Sequence, residues 1–214
     1  MTLFSEKLGK RNHLVVFGGS FDPPHIAHSQ LPQMVCKKLG ADAVVYVPAG
    51  RAPHKLDRVQ SEAHHRLKML QLAIADLEDT LILTEELDRA VDGLPTFTID
   101  TLMFLIDQLP HAKLRLLIGA DQLKIFESWK SPDRIIEIAD PVVMVRPPET
   151  RKSLARSLDD ELYQHHWAKR LVQVPEMQVS SSQIRHRVRR GHMITDLVAS
   201  NVAHYIEQQG LYKT

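Results

Sequence analysis

Short, continuously apolar stretches alternate along the chain with segments in which apolar residues recur at helical spacing. The apolar stretches predict buried strands at residues 14–17, 43–47, 81–83, 114–118 and 141–145, with a sixth near 172–174. Helical segments are predicted to open at Pro23, at the N-caps Ser61 and Thr96, and at Ser180 and Asp196. The polar stretch 147–166 predicts a loop and a surface helix. Such alternation predicts an α/β fold with a doubly wound parallel sheet, in a single domain over residues 1–214.

The places to search for chemistry follow from this Rossmann-like arrangement. Ligands of doubly wound sheets bind at the carboxyl ends of the strands, where the strand order reverses. The segments that follow three of the predicted strands are residues 18–28, 48–55 and 119–129.

Composition narrows the class of protein. The formal net charge of the 214 residues is +1, so no global field attracts nucleic acid or an acidic membrane. The single cysteine, Cys36, lies in an apolar run and is predicted to be a core residue. Residues 1–12 lack the apolar stretch of a signal peptide, and no stretch of about 18 apolar residues predicts a membrane span. We therefore expect a cytoplasmic protein.

Residues 18–28 form the segment with the most candidate functional residues, and it runs from the first strand into the first helix. Two glycines allow close backbone approach to a ligand, and a helix N-terminus favours phosphate. His25 and His28 are three residues apart, so they share a helix face and can donate hydrogen bonds to one anion. Two packing histidines, or a fragment of a zinc site, are the alternatives.

A second phosphate-binding pattern occurs near the C-terminus. Hydroxyls at Ser180, Ser181 and Ser182 precede a predicted helix, and Arg185 follows one turn later. A capped helix with a solvated basic face is the alternative, and the arginines between 185 and 190 would also suit an RNA-binding patch.

Three further motifs follow predicted strands or open a helix. They are His54–Lys55, Arg89 with the run Thr96–Phe97–Thr98, and Asp121 with Trp129. Their alternatives are ordinary: a solvated lysine, a capped helix with Phe97 in the core, and a capping aspartate beside a half-buried tryptophan.

The two phosphate-binding patterns carry a resemblance. The run Gly-Gly-Ser-Phe-Asp-Pro-Pro-His-x-x-His at 18–28 resembles the signature of the nucleotidylyltransferase superfamily, whose core is His-x-Gly-His. Ala27 stands where that signature has glycine. Residues 179–185 resemble the superfamily's second signature, Ile-Ser-Ser-Thr-x-Ile-Arg. The middle motifs are similar to the branch that acts on nicotinate mononucleotide, and the resemblance covers about residues 14–212.

The resemblance implies roles for individual residues. His25 and His28 would hold the α-phosphate and stabilise the transition state, and residues 180–214 would complete the ATP site. Arg185 and Lys55 would contact the triphosphate. The other expected ATP contacts are Gly18, Gly19, Ser20, Phe21, Ser180, Ser181 and Ser182. The expected acceptor contacts are Thr96, Phe97, Thr98, Asp121, Trp129, Arg89 and His54.

The implied reaction transfers AMP from ATP to nicotinate mononucleotide, giving nicotinic acid adenine dinucleotide and pyrophosphate in NAD biosynthesis. Mg²⁺ is expected to arrive on the ATP phosphates, because no carboxylate cluster in the sequence builds a metal cage. Nicotinamide mononucleotide and pantetheine phosphate are alternative acceptors. An ATP-binding module without turnover and an RNA-binding protein are alternatives from other classes. Neither nucleic acid nor a membrane is an expected partner, and the oligomeric state is open.

Overall fold

The central sheet has the strand order of a doubly wound fold. A computed structural model describes residues 6, 8–50, 60–91, 93, 95–157 and 167–213. Its strands are β1 (His13–Gly19), β2 (Ala43–Pro48), β3 (Thr80–Ile82), β4 (Lys113–Gly119), β5 (Val142–Val145) and β6 (Leu171–Gln173). They form one sheet in the order β3-β2-β1-β4-β5-β6. The pairs β1–β4, β4–β5 and β5–β6 are parallel. This order confirms the predicted Rossmann-like fold, and it reverses between β1 and β4.

Helices connect the strands. They are α1 (Ile26–Leu39), α2 (Ala63–Ala73), α3 (Glu85–Val91), α4 (Thr98–Gln108), α5 (Ala120–Leu123), α6 (Pro132–Ala139), α7 (Arg151–Arg156), α8 (Ser181–Arg189) and α9 (Ser200–Gln208). A 3₁₀ turn covers Phe126–Ser128. The helical spacing did not predict α3 or α6, whereas α7 is the surface helix expected in the polar stretch. Within the described ranges, no helix combines the length and the apolar character that crossing a membrane requires.

Two of the predicted helix caps are wrong. Helix α2 is capped by Glu62 and α4 by Phe97, in neither case through a side-chain hydrogen bond. Ser61 instead donates its backbone N–H to Asp22, and the hydroxyl of Thr96 donates to Glu86. The hydroxyl of Thr96 is therefore engaged in a tertiary hydrogen bond, whereas Ser61 is held through its backbone one residue before the cap of α2.

Two other helices begin later than predicted, and one predicted cap is confirmed. Helix α1 begins at Ile26, just after the two prolines, and α9 begins at Ser200, four residues later than predicted. The cap at Ser180 is confirmed, because its side chain accepts a hydrogen bond from the backbone N–H of Gln183 at 3.2 Å.

The chain divides into two compact units. The first comprises residues 1–18, 32–45 and 97–176, and the second comprises residues 19–31, 46–96 and 177–214. The apolar centres of β1, β4 and β5 form the core of the first unit, and Cys36 is buried there as predicted. In the second unit, Met69 of α2, Ile184 of α8 and Val202 of α9 pack in one buried cluster. The glycine-rich loop from Gly19 onward, both histidines of the first motif and the C-terminal motif all lie in the second unit.

One carboxylate in the first unit holds the start of β1. Asp42 accepts hydrogen bonds from the backbone N–H groups of His13 at 2.8 Å and Asn12 at 2.9 Å. The hydrogen bond from His13 is the largest cause, and that from Asn12 the next, of a pKa of Asp42 below its ordinary value.

Asp42→Asn should therefore reduce stability at neutral pH but not in acid. A carboxyl with a depressed folded-state pKa stabilises the fold above its unfolded pKa, and this contribution is lost as the pH falls through the folded pKa. Because Asp42 is exposed, we expect a loss of at most about 1 kcal/mol at pH 7, and a smaller difference below about pH 4. Urea unfolding at both pH values measures this, with Asp107→Asn on the exposed face of α4 as the control. An equal loss at both pH values would show that the charge contributes nothing.

Candidate active site

The glycine-rich loop turns sharply after β1. Phe21 has a φ of 50°, and its ring folds back and is 1% exposed. A Cβ added to Gly19 would lie 2.9 Å from two carbons of that ring, which explains the glycine. Phe21 meets the ring of His28 edge to face, at 5.2 Å between centroids. Phe21 therefore packs against His28, one of the two motif histidines.

His25 and His28 form a stacked pair. Their ring centroids are 3.6 Å apart with an interplanar angle of 18°. The backbone N–H of His25 donates to Nδ1 of His28 at 3.3 Å, which assigns the proton of a neutral His28 to Nε2. Nε2–H is thus the donor end of that ring. Ala27, where the family signature has glycine, is only 5% exposed, so its methyl group is buried.

The C-terminal motif binds directly to the glycine-rich loop. The hydroxyl of Ser181 donates to the carbonyl oxygen of Pro23 at 2.8 Å. Nη1 of Arg185 donates to the carbonyl oxygen of Asp22 at 2.6 Å, and its Nη2 donates to Oγ of Ser182 at 3.1 Å. Within the second unit, hydrogen bonds therefore join the two sequence motifs directly.

The carboxylate of Asp22 is buried, at 5% exposure, and joins two further segments. Its Oδ1 accepts from the hydroxyl of Tyr212 at 2.6 Å, and its Oδ2 accepts from the backbone N–H of Ser61 at 3.2 Å. Burial is the main cause of a pKa of Tyr212 well above its ordinary value, and the charge of Asp22 adds to the effect. Tyr212 thus remains a protonated hydrogen-bond donor.

Arg66 is a buried cation on the inward side of α2, at 4% exposure. Its Nη1 donates to the carbonyl oxygens of Ser20 at 3.0 Å and Ala49 at 2.8 Å, and its Nε donates to that of Ser61 at 3.1 Å. Burial lowers the pKa of Arg66, and the nearby charge of Asp22 opposes that change. A guanidinium stays charged in proteins, so these are charge-assisted hydrogen bonds.

Glu86 holds the backbone that follows β2. Its Oε2 accepts from the backbone N–H of Gly50 at 3.2 Å and from the hydroxyl of Thr96 at 3.0 Å. A Cβ on Gly50 would collide with the carbonyl oxygen of Glu86, so this position requires glycine. Arg89 forms an ion pair with Glu85 one turn earlier on α3, with Nη2 at 3.0 Å from Oε2.

In the first unit, two predicted acceptor residues lie at the start of α4: Phe97 is its N-cap and Thr98 is its first residue. Phe97 is half-buried rather than in the core, and Nζ of Lys130 lies 4.6 Å from the centroid of its ring. Lys130 also donates to both carboxylate oxygens of Asp100, at 3.0 and 3.1 Å. Asp100 is therefore already occupied as an acceptor.

Asp121 and Trp129 follow β4 in the same unit. Asp121 is exposed and lies inside α5, whose N-cap is Gly119, so it is not a capping residue. A Cβ on Gly119 would collide with Oδ1 of Asp121, which shows that the carboxylate folds back over the end of β4. Trp129 is half-buried against Phe126, at 5.3 Å between ring centroids.

Two of the predicted site residues, His54 and Lys55, lie outside the described residues. Among the residues that the structure does describe, no three His, Cys, Asp or Glu side chains form a group that could hold a metal ion.

Sequence reasoning missed the residues that connect the loops: Asp22, Arg66, Glu86 and Tyr212. Arg66 left one signal, because Arg66, Met69 and Leu70 are spaced as a helix face and all three are buried. The apolar spacing of Leu67, Leu70 and Ile74 predicts a helix face that begins at Leu67 and so passes over Arg66, but Leu67 is only half-buried. A cation at an inward position of a helix indicates that buried acceptors lie opposite.

Comparisons with known proteins show which family the chain belongs to. The profile of the cytidylyltransferase-like family matches residues 16–187. A protein of Albidiferax ferrireducens described as a probable nicotinate-nucleotide adenylyltransferase is 36% identical over 199 residues, 93% of this chain and 97% of the relative. Proteins with the same description from Streptococcus pyogenes and Dehalococcoides mccartyi are 32% and 34% identical, covering 97% and 92% of this chain and 92% and 95% of their own lengths.

Solved structures show the same fold. The nicotinic acid mononucleotide adenylyltransferase of Plasmodium falciparum complexed with NaAD superposes with a TM-score of 0.68, at 19% identity over 94% of this chain and 98% of that one. The same protein complexed with APC gives a TM-score of 0.65 at 20% identity, with the same coverage. Since the family profile spans most of the chain and relatives above 30% identity match over nearly their full length, the chain belongs to the cytidylyltransferase-like family and, within it, to the nicotinate-nucleotide adenylyltransferases.

Proposed function

We propose that this enzyme transfers AMP from ATP to the 5′-phosphate of nicotinate mononucleotide, which produces nicotinic acid adenine dinucleotide and pyrophosphate. One observation carries the proposal. Ser181 and Arg185 of the C-terminal motif bind the carbonyl oxygens of Pro23 and Asp22, directly beside the stacked His25 and His28. A cation, hydroxyls and imidazole donors are thus gathered at one loop, as the binding of a polyphosphate requires.

The reaction needs positioning and charge stabilisation rather than a protein nucleophile. An oxygen of the acceptor phosphate attacks the α-phosphorus of ATP, and the bond from that phosphorus to the pyrophosphate oxygen breaks. Nε2–H of His28, with His25 stacked on it, would donate to an α-phosphate oxygen as charge grows there. Arg185 would neutralise the leaving pyrophosphate, and Lys55 keeps that role as a prediction from the sequence.

The choice of acceptor rests on the start of α4 and on the relatives. Nicotinate mononucleotide would place its carboxylate at the first-turn amides near Thr96–Thr98, with Trp129 offering a flat face to the pyridine ring. Asp121 would bind a ribose hydroxyl. Arg89 and His54 remain predicted acceptor contacts, although the ion pair of Arg89 with Glu85 already commits its guanidinium in part.

Mg²⁺ is proposed to enter with ATP and to keep several of its waters, as this small ion does in sites that lack an all-protein cage. When bound, it would neutralise charge on the triphosphate. A cytoplasmic location and a single domain over residues 1–214 also remain predictions.

Pyrophosphate release tests the whole assignment. ATP and Mg²⁺ are supplied with nicotinate mononucleotide, nicotinamide mononucleotide, pantetheine phosphate or no acceptor. The proposal expects release that depends on the acceptor and is fastest with nicotinate mononucleotide. ATP binding without release in any mixture would identify a module without turnover, and the fastest release with pantetheine phosphate would reassign the acceptor.

His25→Ala should lower kcat far more than it raises the KM for ATP. Removing one donor to a charge that develops in the transition state costs on the order of 10²–10³ in rate. His28→Ala should have a similar effect with a larger rise in KM, because its Nε2–H is the donor end of the pair. Steady-state kinetics measure this, with His204→Ala on the exposed face of α9 as the control. Near-native turnover of His25→Ala would show that this motif is not catalytic.

Arg185→Ala should weaken the use of ATP with little effect on the KM for the acceptor. A hydrogen bond to a charged group contributes about 1.5–3 kcal/mol, so kcat/KM for ATP should fall by roughly ten- to a hundredfold. Arg189→Ala removes the same charge from an exposed position on the same helix and should be nearly silent. A defect confined to the acceptor would move Arg185 to the other half of the site.

Nicotinate mononucleotide should be preferred over nicotinamide mononucleotide by at least about tenfold in kcat/KM. Backbone N–H groups at a helix N-terminus only donate, so a carboxylate pairs with them whereas an amide NH₂ leaves a donor unpaired at about 1–3 kcal/mol. Asp100 is the nearby acceptor that could favour the amide, but its ion pair with Lys130 already engages both of its oxygens in part. Parallel initial rates with both acceptors decide the matter. Equal rates, or a preference for the amide, would contradict the nicotinate assignment and leave adenylyl transfer intact.

A further inference from the structure

We infer that Arg66 is a positioning residue for the adenylyl-transfer reaction, which it serves by fixing three loop segments around the nucleotide without touching a substrate. We call the carbonyls of Ser20, Ala49 and Ser61 the loop junction. The catalytic consequence of this inference rests on the proposed function. The hydrogen bonds between Arg66 and the loop junction belong to the enzyme without substrates.

The loop junction joins three segments that are separate in sequence. Ser20 belongs to the glycine-rich loop, Ala49 follows β2, and Ser61 precedes α2. One guanidinium supplies N–H donors to all three carbonyl oxygens, at 2.8 to 3.1 Å. Because the fork of a guanidinium is planar and rigid, it fixes the three oxygens relative to one another.

Further hydrogen bonds tie the same segments together. The backbone N–H of Ala49 donates to the carbonyl oxygen of Gly19 at 2.8 Å. Ser61 is held on both sides, because its N–H donates to Asp22 at 3.2 Å while its carbonyl accepts from Arg66. Nε2 of Gln60 donates to Oγ of Ser20 at 3.4 Å. A change at Arg66 should therefore be felt at two amides, those of Ala49 and Ser61.

The burial of Arg66 argues against a role in stability alone. An ordinary inward position of a helix is filled by an apolar side chain, and burying a charge is costly unless it is fully paired. Here the charge is paired almost entirely with backbone carbonyls of the segments that carry or flank the phosphate-binding motifs. These hydrogen bonds fix the geometry of the loops. Small displacements of catalytic groups have large effects on rate.

The decisive variant is Arg66→Lys, which keeps the positive charge but replaces the fork with a single ammonium. An ammonium cannot reproduce the planar geometry that serves three carbonyls. Hydrogen exchange of the substrate-free enzyme should become at least about tenfold faster at the amides of Ala49 and Ser61, whose hydrogen bonds depend on the junction. Exchange in Val142–Val145 of β5 should be unchanged.

The kinetic arm uses a control that destabilises a part of the fold with no assigned site residue. Ile135→Ala removes buried apolar atoms from α6 in the first unit. At a temperature well below both melting temperatures, Arg66→Lys should lower kcat/KM for ATP by about tenfold or more, whereas Ile135→Ala should keep the wild-type value. Arg66→Gln keeps hydrogen-bond donors but loses the charge, so its kcat/KM for ATP should be equal to or lower than that of Arg66→Lys.

The outcomes separate the inference from the proposed function. Faster exchange at Ala49 and Ser61 with the expected kinetic loss supports the inference. Unchanged exchange, or a kcat/KM no lower than that of Ile135→Ala, overturns it even if the wild-type enzyme makes the dinucleotide. Faster local exchange in an enzyme whose wild type shows no transfer with any acceptor overturns the proposed function and, with it, the catalytic role of Arg66.

Discussion

The loop after β1 contains backbone carbonyls that neither a helix nor a strand pairs, and buried carbonyls require donors. Those donors are side chains from distant parts of the second unit. Arg66 binds the carbonyl of Ser20, Arg185 that of Asp22, and Ser181 that of Pro23. Satisfying these carbonyls places a cation and hydroxyls beside the stacked histidines, so one requirement of backbone chemistry both holds the loop and assembles the site.

Sequence patterns predicted the features that depend on residues close together in the chain. Continuously apolar runs located the strands and the doubly wound sheet, since burial on both faces leaves no polar alternation. The Ser180 cap was equally predictable, because its hydroxyl serves an amide only three residues away. The spacing of His25 and His28 placed their rings on one face, and the structure stacks them.

The remaining features depend on contacts between distant residues. Ser61 and Thr96 have the chemistry of N-caps, but Asp22 and Glu86 engage them instead. The inward side of α2 includes Arg66, which a search for apolar periodicity excludes by definition. The role of Asp22 depends on Tyr212, which lies 190 residues away in the sequence. No pattern within a short window could have revealed the two partners of Asp22, whereas Glu86 and Thr96 are only 10 residues apart and were missed because α3 was not predicted.

The bond between Asp22 and Tyr212 also has a consequence for the order in which contacts form during folding. Ser181, Arg185 and Tyr212 are synthesised long after residue 22. Contacts across 158 to 190 residues also carry a high loop-closure cost, so they form after local structure. The glycine-rich loop is therefore expected to gain these side-chain donors late in folding, once the neighbouring strands and helices have formed.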